Sequence, residues 1–129
     1  MQLDPHSSPG NNLLRITNPA RGTVLAERVK VADTSITRFI GLLGRRGLPA
    51  GEGLLIKPSN GVHTLGMRFS IDVLLLDRAG FVVAAYNNLR PFRVTRLNWK
   101  AAMALELPPG TIGGSRTERG DQLLIAPAL

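Results

Sequence analysis

Ser59–Gly80, SNGVHTLGMRFSIDVLLLDRAG, holds the reading that decides the fold. Its second half, Ile71–Leu76 (IDVLLL), is the most apolar segment of the chain, and Asp77-Arg78-Ala79-Gly80 closes it as a turn. A short apolar run bounded by a turn signal reads as a buried strand. The first half sends His63, Thr64, Arg68 and Asp72 directly into that strand, as a site built on a strand end would.

Working outward, Phe81–Tyr86 (FVVAAY) follows the turn as the hairpin partner. Upstream, Leu54–Lys57 (LLIK) is a strand ended by Pro58, and the breaker-rich stretch from Arg45 to Gly53 is a loop. Ala32-Asp33-Thr34-Ser35 offers N-cap residues, and Ile36, Phe39, Ile40 and Leu43 follow at helical spacing until Gly44 and Gly47. That predicts one short helix with its apolar stripe on the sheet. Leu13–Thr17 and Thr23–Val31 alternate around Asn18, Pro19 and Gly22 and predict a hairpin. Downstream, Arg90–Val94 contains Pro91 and predicts an edge segment or extended loop, and Ala101–Leu107 predicts a strand. Thr111–Arg119 reads as a turn or one short helical turn, and Gln122–Ala126 as a last strand. The expected fold is mainly β: an antiparallel, barrel-like or sandwich domain of about seven strands with one covering helix. A disordered leader over residues 1–12 would precede a single domain over 13–129.

Composition narrows the function classes. At 129 residues one hydrophobic core suffices. The chain has no cysteine, which removes disulfides and thiolate metal clusters and is compatible with a reducing, cytoplasmic setting. No membrane span is expected, because the longest uncharged apolar run, Val73–Leu76, is far below about 20 residues. The leader region carries no apolar run that would read as a secretion signal. The net charge of +7 is spread over both halves. One region stands out, since no acidic residue occurs from Arg78 to Leu105 while Arg90, Arg93, Arg96 and Lys100 recur there. Such a surface can attract phosphates or anionic lipid headgroups, and Tyr86, Phe92 and Trp99 interleave with its cations as base-stacking surfaces would.

Asp72 and Asp77 are the carboxylates nearest the apolar strand. Period-two alternation puts Asp72 on the face of Leu74 and Leu76, and Asp77 on that of Ile71, Val73 and Leu75, about 16 Å apart, so they form no catalytic dyad. Asp77 opens the turn. Asp72 must find donors, and Arg68, His63 or backbone N–H groups of the preceding loop are the expected ones. His63 could act as a general base oriented by Asp72. A metal site would need three or four ligands, which two histidines, His63 and the leader's His6, do not supply without cysteine except by recruiting scattered carboxylates, and none is expected. Gly113-Gly114-Ser115-Arg116-Thr117 lacks the last glycine of a nucleophile elbow. Gly41–Gly47 lacks a phosphate-loop lysine and follows a helix instead of a strand. No cofactor is expected.

Gly41-Leu42-Leu43, Glu52-Gly53-Leu54-Leu55, Val62–Val73, Leu76-Asp77, Arg90-Pro91 and Leu105–Gly110 occur in an order and spacing that resembles domain-of-unknown-function family 192. The resemblance runs from Val29 to Ile125 and implies a compact, mostly β domain of bacteria and archaea with no established activity. It implies that Met67, Arg68, Asp72, Asp77, Glu106 and Gly110 match the family's most recognisable positions. The chain departs from it at Gly66–Ser70, where many relatives have Trp-Met-Lys-Asn-Thr, and at Ser70, where most have proline. It has Ser59 where relatives with the Val-His-Thr variant often carry a nearby cysteine. Many members also begin with a secretion signal.

Three functional expectations follow. The first is a non-enzymatic binding or accessory module, with a polar pocket of His63, Thr64, Met67, Arg68, Asp72 and Glu106 for a small molecule or protein partner. The second is a hydrolase or transferase using His63 and Asp72 as acid and base. The third is a nucleic-acid or anionic-surface binder acting through Arg90, Arg93, Arg96 and Lys100.

Overall fold

Ile71–Leu76 is a strand in which every residue is buried, with Ile71, Val73, Leu74, Leu75 and Leu76 all at 0% exposure. In the computed structural model, which describes residues 12–129, it is the fourth of seven strands. These are β1 (Leu14–Asn18), β2 (Thr23–Ala32), β3 (Glu52–Ile56), β4 (Ile71–Leu76), β5 (Val82–Leu89), β6 (Met103–Leu107) and β7 (Leu124–Pro127). Two helices accompany them, α1 (Ser35–Ile40) and α2 (Thr111–Ser115). All but the last residue of the expected leader lies outside the described residues.

The strands form one open sheet in the order β5-β4-β6-β3-β2-β1-β7. β4 is hydrogen-bonded on both edges, to β5 and to β6, and alternate side chains leave it in opposite directions. Leu74 and Leu76 enter a core with Ile16, Val29, Leu105 and Leu107. Ile71, Val73 and Leu75 enter a second one with Leu42, Leu54, Ile56 and Met67. This double burial is why the strand shows no apolar/polar alternation.

Two expectations need correcting. The sheet is mixed, because β2 and β3 run parallel, with Val29 opposite Gly53 and Val31 opposite Leu55. Parallel neighbours need a long crossover, and the connection through α1 and the glycine-rich stretch supplies it. Nor is the sheet a closed barrel. Its outer regions meet around an isolated Phe81–Gln122 bridge, where the Leu123 N–H donates to the Gly80 carbonyl at 2.9 Å and the Val82 N–H to the Asp121 carbonyl at 2.8 Å, without a ladder joining β5 to β7.

The helix content differs as well. Thr34 caps α1 in a reciprocal capping box with Thr37, each hydroxyl accepting from the other's backbone N–H, at 3.1 and 3.0 Å. Gly41, at φ 49°, ends the helix after six residues. The anticipated apolar stripe is not buried along the helix, since Ile36 and Ile40 are exposed. Leu42, just past the helix, enters the core instead. The second helix, α2, occupies part of the region read as a turn or single helical turn.

Gly80 is required where the outer regions meet. Its φ is +88°, and an added Cβ would lie 2.7 Å from the Leu123 carbonyl oxygen. Gly80→Ala should therefore lose about 2–4 kcal/mol from strain and overpacking together. Denaturant titration checks this, and an unchanged midpoint would show that the contact yields freely.

Candidate functional site

Asp72 and Glu106 are the two buried acidic residues among the described ones, and they lie on opposite faces of the sheet. Asp72 shares the face of Leu74 and Leu76. Glu106 stands opposite Val73 on one side and Leu54 on the other. Directly opposed side chains share a face, so Glu106 belongs to the core of Val73, Leu54, Leu42 and Met67.

Asp72 is fully buried and occupied by backbone. Between the pairs Ile71–Leu89 and Val73–Tyr86, β5 carries one extra residue, and Asn88 there has φ 51°. The bulge frees the Asn88 N–H from the ladder, and it donates to Asp72 Oδ1 at 2.8 Å. The Ile112 N–H in the first turn of α2 donates to Oδ2 at 2.9 Å. The donors are thus backbone groups, but of β5 and α2 instead of the preceding loop, and neither Arg68 nor His63 is among them. Asp72 fixes the bulge and α2 to the central strand.

Glu106 has no such support. It is 4% exposed, its Oε2 has no hydrogen-bond partner, and burial pushes its pKa up from 4.5 to about 7. It lines a cavity of about 320 Å³ beneath α1 and the segment 58–63. Leu42, Ile56, Val62 and Met67 give the cavity an apolar wall, while Arg38 and His63 supply polar groups. The Arg38 guanidinium donates to the Pro58 carbonyl at 3.2 Å, linking α1 to the opposite side of the cavity.

Of the residues expected to form a pocket, His63, Met67 and Glu106 come together at this cavity. Met67 is buried and His63 exposed. Arg68 is exposed and lines neither this cavity nor its larger neighbour. Thr64 is fully buried, but its hydroxyl serves the chain, accepting from the Arg93 N–H at 2.9 Å and donating to the Arg90 carbonyl. The pairing of His63 with Asp72 does not form, because both Asp72 oxygens are held by backbone on the other side of the sheet. Arg90, Arg93, Arg96 and Lys100 are all exposed. Among the described residues no group of three or more His, Cys, Asp or Glu is placed to hold a metal ion.

Sequence reasoning missed Arg38 and a second cavity of about 1100 Å³ that shares Pro58, Ser59 and Asn60 with the first. Lys57, Arg78, Trp99 and Met103 also line it. Its walls come from chain segments far apart in sequence, so no local pattern announces them. For Glu106 a signal was present: an acid inside the strand MALEL, flanked by Leu105 and Leu107.

The family model of domain-of-unknown-function family 192, described as Uncharacterized ACR, matches residues 16–125. The chain belongs to that family. A UPF0127 protein of Thermococcus sibiricus is 33% identical over 113 residues, covering 84% of this chain and 72% of that one. A UPF0127 protein of Pyrococcus furiosus is 32% identical over 111 residues, covering 82% and 93%. Among solved structures, a protein of unknown function from Novosphingobium aromaticivorans superposes with a TM-score of 0.75 at 18% identity, covering 95% of this chain and 93% of that one. That likeness speaks for the fold alone. The family match includes both Asp72 and Glu106, one on each face of β4 and its partner.

Two outcomes test this division of labour. Asp72→Ala leaves the buried Ile112 N–H and the partly buried Asn88 N–H without an acceptor and should lose about 2–4 kcal/mol in denaturant titration. For Glu106 the sign is the reverse of a paired carboxylate. Its folded pKa is raised, so its contribution is fully favourable below pH 4.5 and is lost as pH rises through about 7. The loss is roughly 3 kcal/mol. Stability measured across that range should fall in the native protein, and Glu106→Gln should remove this component of the fall.

Proposed function

We propose that the protein is a binding module whose site is the cavity walled by Glu106, Met67, Val62 and Leu42, and that its ligand is a small neutral molecule with one hydrogen-bonding group. The observation that carries this reading is the unpartnered Glu106 Oε2 in the wall of a cavity of about 320 Å³. A buried polar atom without a partner is costly, and an incoming hydroxyl, amide or carbonyl would remove the cost. With a pKa near 7, the carboxyl group can donate to a carbonyl or accept from a hydroxyl or amide. The volume falls at the lower end of ligand cavities, and apolar residues such as Leu42, Val62 and Met67 share the wall with a few polar groups that can fix an orientation. Arg38 at the same cavity disfavours a cationic ligand.

The acid–base alternative has less support. His63 lines the cavity, but the carboxyl group meant to orient it is engaged elsewhere. Glu106 is the remaining titratable partner on that face, and no hydrogen bond joins it to His63.

Small amides and lactones such as propionamide and valerolactone, titrated into the isotopically labelled protein, should shift the amide resonances of Gly41, Val62 and Met67. Glu106→Leu should remain folded and lose the response. Resonances that stay fixed in the native protein, or that respond equally in Glu106→Leu, would contradict the proposal.

A further inference from the structure

The segment 90–100 presents large apolar side chains to solvent on a fixed frame. Phe92 is 66% exposed, Val94 69%, Leu97 65% and Trp99 89%. Four of the segment's other residues are the exposed cations Arg90, Arg93, Arg96 and Lys100. This is no slack loop. The Thr64 N–H donates to the Arg93 carbonyl at 2.8 Å, the Phe92 N–H to the Thr64 carbonyl at 3.0 Å, and the Thr95 N–H to the Val62 carbonyl at 2.9 Å. The Asn98 N–H completes the seam on the Asn60 carbonyl at 2.8 Å. Thr64 and Thr95 are buried in this seam, and their hydroxyls add bonds to the Arg93 and Val62 N–H groups, each at 2.9 Å. Phe92 is held at φ 61°, a conformation unfavourable for a bulky residue and sustained here by the surrounding bonds. The small polar residues therefore point inward and the aromatic and aliphatic ones outward, the inverse of an ordinary surface segment.

We infer that the segment 90–100 is a docking platform for the surface of an anionic lipid bilayer. Basic side chains gain from the negative surface potential of such a leaflet, and apolar side chains beside them enter the boundary between headgroups and acyl chains. Trp and Phe favour that boundary. The absence of acidic residues from Arg78 to Leu105 supplies the charge complement. A single-stranded nucleic acid would also meet the cations and could stack on Phe92 and Trp99, but it has no use for Val94 and Leu97. The platform is hung on Asn60 and Val62, which also line the Glu106 cavity, but its outward side chains are not cavity residues and lipid binding does not involve Glu106, so either reading can fail without the other.

Trp99 is the protein's one tryptophan, so its emission reports on the platform directly. The full chain should co-sediment with vesicles of phosphatidylcholine mixed with phosphatidylglycerol and not with pure phosphatidylcholine. The Trp99 emission should move to the blue on binding, and added salt should weaken the binding. Arg93→Glu with Arg96→Glu should lower vesicle binding roughly tenfold or more. Phe92→Ser with Leu97→Ser should reduce it and leave Trp99 less shifted; circular dichroism checks that both variants fold. Failure to bind the mixed vesicles would overturn the inference. So would binding with an unmoved Trp99 spectrum, or binding of single-stranded DNA without any of lipid.

Discussion

Burial of β4 on both faces, with both edges hydrogen-bonded, is the constraint from which the other features follow. A strand so placed offers no side to water, so each side chain leaving it must be apolar or have its polar atoms met within the protein. Ile71, Val73, Leu74, Leu75 and Leu76 satisfy the first condition, and Asp72 the second. The bulge in β5 and the turn that starts α2 then acquire a reason: each brings a backbone N–H to a carboxyl group that could not otherwise remain where it is.

The neighbouring strand β6 meets the same constraint differently. Glu106 is nearly as buried as Asp72, but no hydrogen bond reaches its Oε2, and it lines a cavity. Two acids on adjacent strands thus divide into one whose oxygens hold the fold together and one whose Oε2 has no hydrogen-bond partner. Burial raises the pKa of Glu106 because nothing nearby compensates the charged form.

Much of the fold was legible because the local signals are strong. The alternation of Thr23–Val31, the turn Asp77–Gly80 and the breakers around Pro58 placed every strand to within a few residues. The parallel pairing of β2 with β3 was not legible in the same way, since strand direction is set by the path of the crossover instead of the pattern of either strand. The capping residues around Thr34 were readable, but the length of α1 was not, because Gly41 ends it one turn before the glycines that spacing pointed to. For the site, alternation correctly separated Asp72 from the Ile71 face, yet the expectation that His63 and Asp72 meet ignored that separation. Membership of the family drew attention to Glu106; only the strand order shows that it lies beside Val73 and away from Asp72. The role of Thr64 as an internal brace depends on the segment 90–95, some 26 residues on, and no short-range pattern could show it.

The claim that Glu106 is buried without compensation can be read directly from its own carboxyl carbon. The chain contains four glutamates, Glu27, Glu52, Glu106 and Glu118, so side-chain labelling with carbon-13 resolves a small set of resonances, and Glu106→Gln assigns the one of interest. The account predicts that this resonance titrates near pH 7. Titration in the ordinary carboxylate range, near 4.5, would mean that Glu106 is solvated or paired, and the division between the two buried acids would fall.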